Sequence, residues 1–231
     1  MSSKLILVLG AGPRVGLNVV KKFADNGYKT VGVSRNPGEE LSKVADLALS
    51  ADFSKHESIK TIFDEVKSKV GVPNVVVYNG AANHGAKDPF DVSVEDFILD
   101  SNINIVSAYA ALQQAIQAFK ELPKGTPKTF IYTGNGLTHM NLPALMNNGM
   151  GKRAALYLIE NAAQIHGDQG TRFYYADERE AGGAPVYGRI DGPAHGEFYY
   201  ELASSEKTGP YEATFVKGKG YFDFEGGIGA K

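Results

Sequence analysis

The residues with the clearest chemical potential lie within the first twenty positions, where glycines separate a predicted strand from a predicted helix. Gly10, Gly12 and Gly16 follow the apolar run Leu5–Leu9, and a helical pattern begins at Leu17. Such a turn brings backbone N–H groups and a helix N-terminus against a pyrophosphate, and glycine lets the ligand approach the backbone. The segment predicts a dinucleotide site that uses these three glycines. A plain tight turn is the alternative interpretation of the glycines alone.

A second feature indicates which dinucleotide would bind. The predicted strand 29–34 ends in Ser34 and is followed by Arg35, while the glycine turn contributes Arg14. In a dinucleotide fold this strand end faces the adenosine ribose, where a carboxylate binds the 2′-hydroxyl of NAD and a cation accommodates the 2′-phosphate of NADP. Two guanidinium groups without a carboxylate favour NADP, and we expect Ser34, Arg35 and Arg14 to contact it. A surface arginine is the alternative for either cation alone.

Two more polar residues follow predicted strands. A strand over residues 46–53 places Asp52 at its end, where the carboxylate either bonds the adenine edge or caps the next helix. The strand 75–78 is apolar throughout, as a central parallel strand should be, and Asn79 follows it with small residues that leave space. We expect Asp52 and Asn79 beside the cofactor.

The elements that must position these residues alternate between strand and helix. Short apolar runs predict strands, and apolar residues three and four apart predict helices. This alternation predicts a single α/β domain with a Rossmann-like, doubly wound parallel sheet. The predicted strands cover residues 5–9, 29–34, 46–53, 75–78, 128–133, 172–176 and 213–216, and the predicted helices cover residues 17–24, 54–69, 94–119 and 143–166.

The predicted helix 94–119 contains residues that need explanation. Phe97 and Tyr109 are among those expected to point inward. Asn102 and Asn104 also lie inside the helix, where asparagine is unfavourable because its side chain competes for backbone hydrogen bonds.

Composition narrows the function classes. The chain has 231 residues, a formal net charge of −2 and no cysteine. The length suits one domain, the absence of a basic stripe argues against nucleic acid, and the lack of cysteine excludes thiolate chemistry. The histidines lack metal-ligand spacing, and no apolar run approaches the roughly 18 residues of a membrane span. Because the first strand begins near residue 4, we expect no signal peptide and a cytoplasmic protein that acts on a small molecule.

From residue 4 to about residue 180 the chain resembles the short-chain dehydrogenase/reductase family. That family's opening motif, TGxxxGxG, corresponds to residues 9–16, with Arg14 in place of the middle glycine. Its NNAG motif is approximated by residues 78–81. Its helix asparagine, seven residues after an aromatic residue, matches Asn104.

The catalytic motifs of that family are only partly present. The strand-ending serine falls near Thr133, which is the one hydroxyl available there. The YxxxK motif corresponds to residues 148–152, where Lys152 is retained and Asn148 replaces the tyrosine. An amide does not titrate in a useful range, so Asn148 cannot act as a general acid.

The resemblance implies a role for each matching residue. In the family, tyrosine protonates the substrate carbonyl, serine orients it, lysine holds the nicotinamide ribose and asparagine anchors a relay water. Lys152, Thr133 and Asn104 would take the last three roles here. The resemblance thus implies an NADP-dependent oxidoreductase that acts on a small organic carbonyl, imine or enone. It also implies a homo-oligomer formed through the helices near residues 94–119 and 143–166.

Three interpretations of the missing tyrosine remain open. Another group can supply the proton, and His139 is the nearest titratable candidate because its ordinary pKa is about 6.5; a surface histidine is the alternative. A substrate can also dispense with an enzyme-bound acid, since hydride addition to an iminium gives a neutral amine and an enone gives a delocalised anion. In the third interpretation the protein is a redox-silent NADP-binding protein, or a non-redox cyclase or isomerase.

The carboxyl-terminal third departs from the family in composition. Residues 177–212 are rich in glycine, proline and aromatic residues, and the resemblance implies that they cover the substrate as a lid. Asp177-Glu178-Arg179 stands where the family has a Pro-Gly turn near the nicotinamide. This triplet serves the substrate or forms an internal ion pair. We expect the glycine-rich tail from Gly226 to be frayed.

Overall fold

A computed structural model describes residues 4–167 and 170–224 of the chain. Its strands are β1 (Leu5–Leu9), β2 (Lys29–Ser34), β3 (Leu47–Ser50), β4 (Val75–Tyr78), β5 (Lys128–Thr133), β6 (Thr171–Arg179), β7 (Glu212–Val216) and β8 (Gly220–Tyr221). They form one sheet in the order β3-β2-β1-β4-β5-β6-β7-β8. The first seven strands are parallel and β8 is antiparallel to β7. The predicted doubly wound α/β fold is confirmed.

Helices cover both faces of this sheet. They are α1 (Val15–Asp25), α2 (Glu39–Val44), α3 (Glu57–Lys69), α4 (Val94–Ser101), α5 (Ser107–Glu121), α6 (Met146–His166) and α7 (Gly192–Ser204). One apolar layer joins α3, α5 and α6 to the sheet, and the other joins α1, α2 and α7. Strand β1 contributes to both layers because successive side chains point to opposite faces: Leu5, Leu7 and Leu9 belong to the first, and Ile6 and Val8 to the second.

The predicted helix 94–119 is a continuous helical segment that is interrupted by a π-helical turn. A π-helical segment, Asn102–Val106, separates α4 from α5, and α5 continues to Glu121. A π-helical turn widens the backbone spiral and often marks a functional site. Asn102 and Asn104 both lie in this segment. The expectation that Tyr109 points inward is wrong, because 51% of this residue is exposed.

The carboxyl-terminal region contains more regular secondary structure than its glycine- and proline-rich composition predicts. The charged triplet forms no turn, because β6 continues through Arg179 and pairs with β7. Within the predicted lid 177–212, helix α7 packs on α1 as part of the regular helical layer. Asp191 caps α7 by accepting a hydrogen bond from Ala194 N–H. The glycines of α7 permit close packing: a Cβ on Gly196 would lie 2.9 Å from the Asn18 carbonyl oxygen.

Other sequence-based boundaries also need correction. The third strand ends at Ser50, so Asp52 lies in the following turn and not at a strand end. There Asp52 accepts hydrogen bonds from the backbone and hydroxyl of Ser54, and α3 begins only at Glu57. Helix α2 was not predicted, because it has only six residues and one buried side chain, Leu41. The tail from Gly226 lies outside the described residues.

Candidate functional site

A cavity of about 750 Å³ opens at the carboxyl ends of β1, β4, β5 and β6. In open parallel sheets this edge binds ligands where the strand order reverses, which here is between β1 and β4. Six of the twelve predicted site residues line this cavity. The lining includes Gly12, Arg14, Arg35, Asn79, Thr133, Asn135, Asn148, Lys152, Asp177, Glu178, Tyr187 and His195.

Each glycine of the turn after β1 has its own steric reason. Gly10 has φ +101°, and a Cβ there would lie 2.7 Å from the Asn79 carbonyl carbon. A Cβ on Gly16 would overlap the Gly10 carbonyl oxygen, so Gly16 lets α1 start tightly against the turn. Nothing lies within 4 Å of a Cβ built on Gly12, which faces the open cavity. The turn therefore presents free backbone at the start of a helix, which favours an anionic ligand.

Two arginines lie on the cavity wall near this turn. Arg14 immediately precedes α1 and Arg35 immediately follows β2, and both line the cavity. Among the described residues, neither guanidinium takes part in an ion pair. Ser34 does not line the cavity, and Asp52, also outside the lining, has its carboxylate bonded to Ser54. The structure thus brings Arg14 and Arg35 to the cavity and leaves Ser34 and Asp52 beside it.

Asn79 joins β4 to the glycine turn. Its Nδ2 donates a hydrogen bond of 2.8 Å to the Gly10 carbonyl, and its backbone N–H donates to the Leu9 carbonyl at 2.7 Å. These bonds hold the turn in register with the central strand. Asn79 therefore fixes the backbone that forms the floor of the cavity.

Lys152 is the buried cation of the site. Its Nζ donates a hydrogen bond of 2.7 Å to the Thr133 carbonyl and lies 4.7 Å from the ring centroid of Tyr132. Burial lowers the pKa of Lys152 to about 8, while the negative charge of Asp177 acts in the opposite direction. Lys152 is still mostly protonated at neutral pH. The ammonium has three donors, of which the Thr133 carbonyl takes one.

Asn104 orders the chain after β4. Its Oδ1 accepts from the Ala82 N–H at 2.9 Å, and its Nδ2 donates to the Ala82 carbonyl at 2.8 Å. Gly151 packs directly against it, since a Cβ on Gly151 would overlap the Asn104 Cβ. Asn104 therefore contacts α6 at Gly151, the residue before Lys152. Both polar atoms of its side-chain amide thus bond the Ala82 backbone.

Thr133 carries a hydroxyl at the end of β5, as predicted. Its Oγ1 accepts a hydrogen bond of 2.9 Å from the Tyr199 hydroxyl. Tyr199 belongs to α7, and its burial raises the pKa of its phenol. The Thr133 hydroxyl still has its own proton to donate, and the residue lines the cavity.

Asn135 is a site residue that the sequence reasoning missed. Its Nδ2 donates a hydrogen bond of 3.3 Å to Asn148 Oδ1. The Tyr175 hydroxyl bonds both the N–H and the carbonyl of Asn135, each at 3.0 Å. Asn135 was missed because the family motif predicts a serine or threonine hydroxyl at this strand end, and asparagine has none. Asn135 is hydrogen-bonded to Asn148, whereas the Thr133 hydroxyl is bonded to Tyr199.

A buried carboxylate supports the same corner. Asp100 Oδ2 accepts from His84 N–H at 2.6 Å and from Asn147 Nδ2 at 2.8 Å. The other oxygen, Oδ1, lies 2.8 Å from His84 Nδ1, and this hydrogen bond raises the pKa of the His84 ring. Asp100 thereby holds the loop after β4 against α6, next to Asn148.

His139, the residue considered as an alternative proton donor, lies elsewhere. His139 is not part of the cavity lining, and its Nε2 contacts the Glu212 carboxylate. Tyr157, five residues after Lys152 on α6, is 67% exposed.

Charged side chains at the end of β6 complete the wall. Asp177 and Glu178 line the cavity, and Asp177 Oδ2 accepts a hydrogen bond of 2.6 Å from Arg179 Nε. Glu178 accepts from the Asp191 N–H at 2.9 Å. His195 lies 3.5 Å from Glu178, and burial lowers the pKa of this histidine to about 4. Within the triplet, Asp177 and Arg179 form an internal ion pair, and Asp177 and Glu178 line the cavity.

The residues present fit a dinucleotide. The open backbone at Gly12 and the start of α1 suit a pyrophosphate, and Arg14 and Arg35 lie at the same end of the cavity. Lys152 provides hydrogen-bond donors on α6, near the end of β5. Among the described helices, none combines the length and apolar character needed to cross a bilayer.

Comparison with known proteins agrees with this geometry. A family model described as short chain dehydrogenase matches residues 4–173. A curated relative from Cryptosporiopsis sp. (strain 8999), named short chain dehydrogenase/reductase dmxR12, is 38% identical over 237 residues, covering 97% of this chain and 96% of that protein.

Solved structures share the fold at lower identity. The 3-ketoacyl-(acyl-carrier-protein) reductase from Brucella melitensis, complexed with NADH, aligns with a TM-score of 0.79 and 21% identity, covering 93% of this chain and 97% of that one. ElxO with NADP bound aligns with a TM-score of 0.77 and 16% identity, covering 94% and 98%.

The parallel sheet, the glycine turn and the buried lysine define a dinucleotide-binding type of α/β fold. The chain belongs to the short-chain dehydrogenase/reductase family.

Proposed function

We propose that this protein is an NADP-dependent reductase of a small organic carbonyl, imine or enone. Its active site is atypical, because Asn148, which cannot donate a proton, replaces the catalytic tyrosine. The observation that carries the proposal is the placement of Arg14 and Arg35 on one cavity that also contains Lys152. Arg14 and Arg35, which have no ion-pair partner in the part of the chain that the structure describes, suit a 2′-phosphate, and Lys152 suits the nicotinamide ribose. The solved structures include both NADH and NADP complexes, so the cofactor preference rests on these side chains.

The chain's own groups would hold the cofactor as follows. Gly12 and the first turn of α1 receive the pyrophosphate, while Gly10, Gly16 and Asn79 keep the turn in shape. Ser34 and Asp52 have no part in this arrangement, because neither lines the cavity. A nicotinamide bound in this way would supply hydride to the substrate.

Four side chains would act on the substrate or cofactor or position those that do. The Thr133 hydroxyl donates to a carbonyl oxygen, and the Tyr199 hydroxyl bonded to it orients that donor. Lys152 holds the ribose and supplies positive charge near the developing alkoxide. Asn104 positions the loop after β4. His139 has no role in this mechanism, since it contacts Glu212 outside the cavity lining.

The cover of the site is smaller than the predicted lid 177–212. Pro185, Val186, Tyr187, Gly188 and Ile190 line the cavity, whereas α7 packs on α1. Tyr187 has φ +49° and is 55% exposed. We infer that residues 185–190 close over the substrate and that the Tyr187 ring contacts it.

We also infer that two copies associate through α4, α5 and α6. Large apolar side chains are exposed on these helices: Val94 is 67%, Ile98 is 52% and Tyr157 is 67% exposed. Burial of such residues stabilises association. Sedimentation should give a dimer or tetramer for the wild type and a lighter species for Ile98→Glu combined with Tyr157→Glu.

One experiment tests the cofactor and the class of reaction together. Thermal melting is measured with NADP, with NAD and with neither, followed by NADPH oxidation with ketones, a quaternary iminium and an enone. We expect NADP to raise Tm more than NAD does and NADPH to be consumed with at least one substrate class. Stronger stabilisation by NAD would remove the NADP preference. Stabilisation without turnover on any class would contradict the reductase.

A further inference from the structure

The buried carboxylate of Asp177 forms part of the cavity wall on the same side as Lys152. Asp177 is 1% exposed and lines the cavity. We propose that Asp177 is the proton donor for carbonyl reduction in this protein and takes over the role of the absent tyrosine. The inference rests on the proposed reductase function, because it assigns a residue to that reaction.

Strand geometry directs this side chain toward the site of the missing tyrosine. Residues two apart on a strand share a face, so Asp177 lies on the same face as Tyr175 and one pleat further along β6. The Tyr175 hydroxyl bonds the Asn135 backbone, and the Asn135 amide donates to Asn148. Asp177 therefore extends beyond Tyr175 toward the corner formed by Asn135 and Asn148.

The carboxylate has capacity for a second partner. Oδ2 accepts from Arg179 Nε at 2.6 Å, and this is the one hydrogen bond to the carboxyl found within residues 4–167 and 170–224. The guanidinium fixes the orientation of the group, because both side chains are buried. Oδ1 remains for a substrate in the cavity.

Charged and titratable groups surround Asp177 from each neighbouring element. Arg179 lies on its own strand, Lys152 on α6, Glu212 on β7 and Tyr199 on α7. Burial raises the pKa of Asp177 to about 6; Arg179 and Lys152 lower it, and Glu212 raises it. A donor whose pKa lies near the working pH is suited to general acid catalysis.

The proposed step balances in atoms and charge. The carbonyl carbon accepts hydride, the pair of electrons of the C=O π bond takes the proton of the Asp177 carboxyl, and the carboxylate is reprotonated from water. The overall reaction converts ketone, NADPH and one proton to alcohol and NADP⁺. An iminium accepts hydride without any proton, so its reduction does not need Asp177.

The test compares these two substrate classes in one enzyme. NADPH oxidation is followed with the best-reduced of acetophenone, tetralone and benzil, and separately with N-methyl dihydroisoquinolinium. Asp177→Asn should lower kcat/KM for the ketone by about 10²- to 10⁴-fold. The kcat/KM of Asp177→Asn for the iminium should stay within a few-fold of the wild-type value. Asp46→Asn is the matched control, because Asp46 accepts from Thr30 N–H at the far edge of the sheet.

A pH profile separates proton donation from a structural role. Wild-type kcat/KM for the ketone should fall above about pH 6, because the carboxyl loses its proton there. Arg179→Gln removes the cation that lowers the pKa of Asp177, so the descending limb should move to higher pH. This wild-type and Arg179→Gln comparison remains informative if Asp177→Asn fails to fold, which melting with NADPH detects.

The outcomes distinguish the inference from the function on which it rests. Equal ketone and iminium losses in Asp177→Asn, or an unchanged pH limb in Arg179→Gln, would overturn the assignment and leave the reductase standing. A wild type that binds NADPH and reduces the iminium but no ketone would do the same. A wild type that binds no NADPH would overturn the proposed function, and the assignment with it.

Discussion

The side-chain amide of Asn135 donates a hydrogen bond to Asn148, with 3.3 Å between Nδ2 and Oδ1. The YxxxK spacing predicts that Asn148 takes the place of the family's tyrosine. The Tyr175 hydroxyl bonds the backbone of Asn135 and fixes its position. Neither amide exchanges a proton at useful pH. The corner can orient a substrate oxygen but cannot protonate it.

Restoring the tyrosine should restore an acid. We expect Asn148→Tyr to raise ketone turnover, and most strongly above pH 7, where Asp177 is largely ionised while a phenol near Lys152 keeps its proton. A positioned acid typically contributes about 10²- to 10⁴-fold. The measurement is the NADPH-linked rate against pH. Asn148→Phe, which has the ring without the hydroxyl, is the control, and an equal effect of both substitutions would contradict the prediction.

Removing the cation after β2 should change the cofactor preference. Arg35→Ser deletes one of two guanidinium groups on the cavity wall. We expect NADP affinity to fall by about 10- to 100-fold, because a hydrogen bond to a charged phosphate is lost, while NAD affinity stays within a few-fold. Calorimetric titration measures both. Lys60→Ser, which removes an exposed cation on α3, should change neither; a matching loss for NADP and NAD in Arg35→Ser would argue against a 2′-phosphate contact.

Two glycines of α6 should respond oppositely to alanine. A Cβ at Gly151 would overlap Asn104, so Gly151→Ala should lower the free energy of unfolding by about 1–3 kcal/mol. It should also weaken NADPH binding, because Lys152 is the next residue. A Cβ at Gly149 would lie 3.8 Å from Leu137, an ordinary contact, and alanine is the better helix former by about 0.5–1 kcal/mol. Urea denaturation of both variants checks this; destabilisation of similar size at both positions would show that the Asn104 contact is not the cause.

Acid should destabilise the protein through His195. Burial lowers the pKa of this ring to about 4, whereas in the unfolded chain it is about 6.5. The unfolded state therefore binds more protons between these values, and stability falls as the pH drops through that window. From pH 7 to about 4.5 the wild type should lose on the order of 2 kcal/mol more than His195→Gln.

Asp177 acts in the opposite direction within the same window. Its folded pKa of about 6 lies above the ordinary value of 3.8, so the folded state binds the additional proton and gains stability as the pH falls from 6 to 4. The wild-type curve alone combines both groups. Urea denaturation at several pH values must therefore compare His195→Gln with the wild type, and parallel curves would refute the prediction for His195.

Periodicity and local turn chemistry explain why much of the fold could be predicted. Strands β1, β2, β4 and β5 have the predicted bounds, because each is a short, mostly buried apolar run between turn residues. The failures have local causes. Helix α2 is too short to show a period, and β6 continues through charged residues that only a buried ion pair accommodates.

For the site, the sequence by itself was enough to predict the glycine turn, the two arginines near it, Lys152 and the replacement of a tyrosine by Asn148, because each prediction depends on residue type and short spacing. Only the tertiary structure decided that Asn135 faces Asn148, that His139 contacts Glu212 and that Asp177 lines the cavity. These contacts join residues from 13 to 73 positions apart or depend on strand register. No local pattern encodes such pairings, since the direction of a side chain at a strand end is set by its neighbours across the sheet.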